Sequence, residues 1–282
     1  MSKQTIDMSD RTNNVYFDTS IYNRLLDDSN SEGILRRIKE KQFNIVPSVI
    51  NLCELLMTSN IERRTALIQL YNELRNDIHP LKPDIWLLRD SVEALARGGQ
   101  ELEISYPLAA DDETMEICSE IKKASRAGMQ KSLKAAREYV QSIAKKEKLA
   151  SEGQYFEYLD SDHGFDVLRE TFVSLCNALG CQETLSDQAT RDLIQSPALP
   201  WKYFLESIAY LYYRRAFPSE RYGRDTNPGD MDLTQCIYLF WPRRFVVQDG
   251  PFHKFLKDLK MLRGYENDIL EYDEFVRQLF QG

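Results

Sequence analysis

The sequence predicts an α/β protein: a central parallel sheet flanked by helices in a three-layer arrangement, interrupted by an all-helical insertion. Three observations carry this. Short apolar runs at 15–18, 44–47 and 245–248 alternate with helical periodicity, as βαβ units do. From about residue 100 to 225 no strand pattern of quality appears. The breaker cluster Asp225-Thr226-Asn227-Pro228-Gly229 then precedes a return of the strand–helix rhythm. The boundaries that follow are 13–98 and 226–282 for the two parts of the α/β unit, with 99–225 as the insertion.

Each element has a local reason. Residues 15–18 are a short buried strand that runs into Asp18, Thr19 and Ser20, after which helical spacing begins at 21–26 and continues at 34–40. Residues 44–47 form a second strand, and Ser48 caps a helix over 49–57 after Pro47. Ile61, Leu67, Ile68, Leu70, Tyr71 and Leu74 give helical spacing over 61–75. Residues 78–81 suggest a third strand, and Pro83 opens a helix to Ala96 before Gly98-Gly99. The insertion reads as a long helix or helical pair over 115–149, with Gly128 as the break point, then helices at 165–179, 186–194 and 201–217. Beyond it come a helix at 232–240, a strand at 245–248, a turn at Asp249-Gly250-Pro251, and helices at 252–262 and 269–280.

Composition bounds the class. The 282 residues are 43% hydrophobic and 28% charged, normal for a globular chain able to bury a sizeable core. Lys plus Arg is 36 against 44 for Asp plus Glu, a net −8 that argues against coating a bulk polyanion and leaves a local basic groove open. No signal-peptide core opens the chain and no apolar run approaches the ~20 residues of a membrane span, so a cytoplasmic protein is expected. The five cysteines lie mostly in apolar helical contexts and are expected to be reduced and buried. Cys176 and Cys181 with His163 upstream have the wrong spacing for zinc.

Four acids fall where ligands bind in an open parallel sheet, outside the carboxyl ends of the strands. Asp18 ends the first strand and Asp249 the last. Glu54 lies in the helix after the second strand, and Asp232 starts the helix that leads to the last. Singly, Asp18 and Asp232 read most simply as helix caps and Asp249 as a turn residue. Glu54 resists such a reading, since an acid in the apolar run N-L-C-E-L-L-M is rarely buried without a partner. Carboxylates ~4 Å apart repel by about 4 kcal/mol per pair at an effective dielectric near 20, a cost that a divalent cation removes. Hard oxygen donors suit Mg²⁺ or Mn²⁺.

The order V-Y-F-D-T-S, S-V-I-N-L-C-E-L, M-D-L-T-Q-C and V-V-Q-D-G-P-F resembles the PIN domain, a family of metal-dependent nucleases, over about 13–98 and 226–282. The resemblance implies a PIN-like fold and an endoribonuclease hydrolysing phosphodiester bonds by metal-activated water. Asp18, Glu54, Asp232 and Asp249 would be both the catalytic and the metal-binding residues, for one or two Mg²⁺ or Mn²⁺ ions. Thr19, Ser20 and Ser48 would support them, and Asp230 competes with Asp232 for the third position. Products would carry 5′-phosphate and 3′-hydroxyl ends. RNA is the expected substrate, with structured DNA as the other. Toxin-like, defence and RNA-processing roles all fit, and an inhibitor or antitoxin protein or a second copy of the chain are further partner classes. The alternative is an inactive PIN-like module that binds a protein or RNA through the insertion.

Two basic segments could hold a polyanion. Lys123, Arg126, Gln130, Lys134, Arg137, Gln141, Lys145 and Lys148 recur at helical steps, which fits a nucleic-acid face and equally a solvated one. The run 210–224 interleaves aromatics with Arg214, Arg215, Arg221 and Arg224, which could stack bases and fork phosphates, or form a core helix with an arginine-rich end. His253, close to Asp249, is expected at the surface. No phosphate-binding loop, serine-hydrolase elbow or zinc-protease helix motif is present.

Overall fold

The computed structural model describes residues 11–76, 78–96, 104–106, 112–178, 185–196, 199–217, 228–248 and 250–281; of these, the side chains of 96, 112, 113, 122, 124–137, 178, 230 and 231 are excluded. Four short strands form one parallel sheet in the order β2-β1-β3-β4. β1 is Asn14–Phe17, β2 Asn44–Val46, β3 Arg244–Val246 and β4 Asp268–Leu270. In register, Tyr16 faces Val46 on one side and Phe245 on the other, and Val246 pairs with Leu270.

Strand alternation divides the core in two, because successive side chains point to opposite faces. Tyr16, Phe245, Val247 and Ile269 join one buried cluster, and Val15, Phe17, Ile45, Val246 and Leu270 join the other. The second face is covered by α1 (Thr19–Asp27), α2 (Ser31–Glu40), α3 (Val49–Leu56), α4 (Ile61–Arg75) and α13 (Tyr272–Phe280), which supply Ile21, Ile34, Leu52, Leu67 and Phe275.

The cluster on the first face continues into the insertion. Its helices are α6 (Asp112–Lys146), α7 (Glu152–Leu159), α8 (Asp162–Ala178), α9 (Asp187–Gln195) and α10 (Trp201–Ala216). α10 is buried along nearly its whole length, and Phe204, Ile208 and Leu211 share one cluster with Tyr16 and Phe245. α5 (Asp84–Ala96), α11 (Asp230–Gln235), the 3-10 segment Cys236–Phe240 and α12 (Gly250–Arg263) complete the set. α7 and α8 meet so closely that a Cβ at Gly164 would collide with the Tyr158 carbonyl.

Several expectations need correction. The segment 78–81 is not a strand: Leu81 makes single bridges to Ser48 and Ser105, because the prolines at 80 and 83 remove donors from a continuing ladder. Residue 269 lies in β4 rather than in the last helix, which starts at Tyr272 behind a reciprocal cap between Glu271 and Glu274. Of the two readings of 115–149, the single long helix holds: α6 runs through Gly128. The helix expected over 232–240 tightens to a 3-10 segment at Cys236. Cys53 and Cys118 form a disulfide, Cα–Cα 4.9 Å, tying α3 to α6; they are not reduced thiols. Cys236 is a buried thiol, and Cys181 lies outside the described residues. No helix among the described residues is long and apolar enough to cross a membrane.

Candidate functional site

Asp18 sits where β1 ends and α1 begins. Its N–H continues the ladder by donating to the Val246 carbonyl at 2.9 Å. Its extended backbone makes it the N-cap of α1, with Oδ2 accepting from the Ser20 N–H at 3.4 Å and from the Ser20 hydroxyl. Oδ1 accepts from Gln235 Nε2 at 2.9 Å. The residue is 4% exposed. Burial pushes its carboxyl above the usual carboxylate range, opposed by the hydrogen bonds from Ser20, Gln235 and the local backbone. The cap and the sheet-edge position therefore coincide in one residue.

Ser48 repeats this geometry at the end of β2. It is the N-cap of α3 and accepts from the Asn51 N–H at 3.1 Å. One turn on, Asn51 is fully buried and its Nδ2 donates to Thr19 Oγ1 at 3.2 Å. The Thr19 hydroxyl donates in turn to Glu54 Oε2. Glu54 is partly buried and faces α1, which explains an acid within an otherwise apolar helix. The network closes through Tyr16, whose hydroxyl donates to Gln235 Oε1 at 3.1 Å and lies 3.1 Å from Ser48 Oγ. The fourth hydroxyl, on Ser20, also accepts from the Gln248 N–H at 3.3 Å, which links β3's exit to Asp18.

Asp18, Thr19, Ser20, Ser48 and Glu54 thus meet in one hydrogen-bonded network at the carboxyl ends of β1 and β2. Asp232 stands on the helix that delivers Gln235, and its Oδ2 accepts from the Gly229 N–H at 2.8 Å, so it supports the start of α11 from the third position while Gly229 is the N-cap. The side chain of Asp230 and the whole of Asp249 lie outside the described residues. Among the described residues no group of three or more His, Cys, Asp or Glu could hold a metal ion.

Arg214 corrects the expected nucleic-acid contact. It is 0% exposed and its guanidinium lies over the rings of Tyr210 and Phe255, so the apolar face of α10 has absorbed it and it cannot fork a phosphate. Arg215 is partly buried, and Arg221 and Arg224 lie outside the described residues. In α6, Lys123 and Lys145 are exposed, Gln141 donates to the Ala216 carbonyl, and Lys148 falls beyond the helix end. The side chains of Arg126, Gln130, Lys134 and Arg137 are outside the description. His253 is not at the surface: it is 8% exposed with Nδ1 3.2 Å from Glu271, and burial lowers its pKa.

Sequence reasoning missed Gln235, Asn51 and Tyr16. Asn51 carried a usable signal, since it is a carboxamide inside an apolar helix, and buried amides need partners.

No protein-family model, curated protein or solved structure matches this chain.

Proposed function

We propose that this protein is a divalent-cation-dependent nuclease of the PIN-like kind, acting on RNA. The observation that carries the proposal is the placing of Asp18, and of Glu54 bound to the adjacent Thr19, in one hydrogen-bonded network at the carboxyl edge of a parallel sheet. That edge is where open α/β sheets bind their ligands.

The donor set fits a hard cation. Both acids offer carboxylate oxygens, and Mg²⁺ is commonly held by one or two carboxylates with substrate phosphates completing its shell. Burial raises the pKa of Asp18 by disfavouring its charged form, against the hydrogen bonds from Ser20 and Gln235. Asp18 and Glu54 would hold the ion, with Asp249 and either Asp232 or Asp230 as the remaining acids of the motif. A bound divalent cation would supply Lewis-acid activation of the attacking water. The chain itself orients Asp18 through Ser20 and Gln235, and orients Glu54 through Thr19 and Asn51.

The test is cleavage of a labelled RNA with Mg²⁺ or Mn²⁺ by wild type, Asp18→Asn and Glu54→Gln. Chelator-sensitive cleavage that leaves 5′-phosphate ends, with both variants at least 100-fold slower, supports the proposal. Equal rates in all three, or a 2′,3′-cyclic phosphate product, would overturn it. A second reading, an inactive module that binds RNA or protein through the insertion, draws on the support that Asp18 and Asp232 give their helix starts. It predicts no melting shift with Mn²⁺.

A further inference from the structure

The hydrogen bonds that link Asp18 to Glu54 have a direction. From Ser48, one branch runs to Tyr16, whose hydroxyl donates to Gln235 Oε1, and Gln235 Nε2 donates to Asp18. The other branch runs from the Ser48 hydroxyl to Asn51 Oδ1 at 2.9 Å; Asn51 Nδ2 donates to Thr19, and Thr19 donates to Glu54. The single Ser48 proton serves one branch at a time. In both branches every subsequent donor points outward, and each ends on a carboxylate that only accepts.

This polarity matters because a carboxamide is not symmetrical. With Tyr16 donating to Oε1, the amide must turn Nε2 toward Asp18. Gln235 is fully buried and has no room to exchange these ends with solvent. It arrives from α11, 217 positions away in sequence, so its contact also fixes that helix against the end of β1.

We infer that Gln235 is the positioning residue of the cation site, its amide clamped by Tyr16 so that Asp18 is held as an oriented acceptor. The inference rests on the nuclease proposal, because it presumes that Asp18 binds a cation. Partners that orient a ligating side chain alter metal affinity by about 10–100-fold when removed.

The experiment is a calorimetric Mn²⁺ titration of wild type, Gln235→Met and Tyr16→Phe, with the metal-free melting temperature and the Mn²⁺ electron-spin spectrum recorded for each. Gln235→Met keeps the side-chain length and removes the amide. Tyr16→Phe deletes one oxygen and releases the clamp, and keeps the question open to test should the first variant not fold. A folded Gln235→Met that binds Mn²⁺ about tenfold more weakly, with a broadened spectrum, is expected. A smaller loss in the same direction is expected for Tyr16→Phe. A role confined to packing would change melting alone, and wild-type affinity with an unchanged spectrum in the folded variants overturns the inference while leaving the nuclease proposal intact. Absence of Mn²⁺ binding by wild type overturns both.

Discussion

Arg263 Nη2 donates to Glu206 Oε1 at 2.6 Å and to Asp160 Oδ1 at 2.8 Å, while Nη1 takes the other Asp160 oxygen at 2.8 Å. Glu206 is 1% exposed and its second oxygen accepts from the Tyr265 hydroxyl. The cluster joins α10 of the insertion to α12 of the sheet unit. Removing one member of a buried pair strands the other charge, which costs about 3–5 kcal/mol. Arg263→Met is therefore expected to lower unfolding free energy by that amount in urea. A loss under about 1 kcal/mol would mean that water or Lys202, 3.9 Å from Glu206, takes over.

Asp84 opens α5 as a buried carboxyl whose Oδ1 has no hydrogen-bond partner among the described residues. Burial raises its pKa to about 7 against the bonds from its own and the Ile85 backbone. A raised folded pKa means that the contribution is fully present below the unfolded value, near 4, and is lost as pH rises to about 7. Asp84→Asn should thus match wild type in stability near pH 4 and exceed it by about 2–4 kcal/mol at pH 8. Parallel melting curves at all pH values would contradict this.

The Cys53–Cys118 bond closes a sequence separation of 65 residues. Loop-closure entropy alone makes it worth about 4 kcal/mol. Peptide mapping without reductant should recover the linked pair, and dithiothreitol should lower the melting temperature of wild type but not of the Cys53→Ser, Cys118→Ser double variant. Two alkylatable thiols at these positions in freshly purified protein would refute the linkage.

For Asp18, two effects oppose each other without metal. Asp18→Asn removes a buried charge whose pKa burial raises, and also weakens the acceptor for Ser20 and Gln235. The metal-free variant should stay within about 1 kcal/mol of wild type at pH 7.5, since charge-assisted bonds and desolvation are of similar size here. Its melting temperature should no longer rise with Mn²⁺. A metal-free loss above about 3 kcal/mol would assign Asp18 to capping alone.

Much of the sheet was legible because its strands are short apolar runs closed by polar punctuation, as in Val15 to Asp18. The helix at 61–75 was legible to the residue from its periodicity; the structure adds Asn60 as its N-cap and a left-handed Asn76 at its end. β4 was not, because Ile269 keeps helical spacing with Phe275 and Val276 and only the ladder to β3 turns it into a strand. α7 lay hidden for a related reason: eight residues give too few turns for periodicity to register. At the site, Asp18 and Glu54 stood out by residue type and context. Gln235 did not, since nothing local ties it to an acid on another strand 217 positions earlier. Arg214 misled because a guanidinium can stack on rings as readily as on bases.

The shared cluster of Tyr16, Phe245 and the α10 residues has a practical meaning for anyone seeking a smaller version of this protein. Excising residues 99–225 would not release a free-standing sheet unit. It would leave Tyr238 and Phe252, which pack on Tyr16 and Phe245, with the outer side of their own layer uncovered. The insertion is half of the roof, and a minimal version must either keep α10 or build a substitute for it.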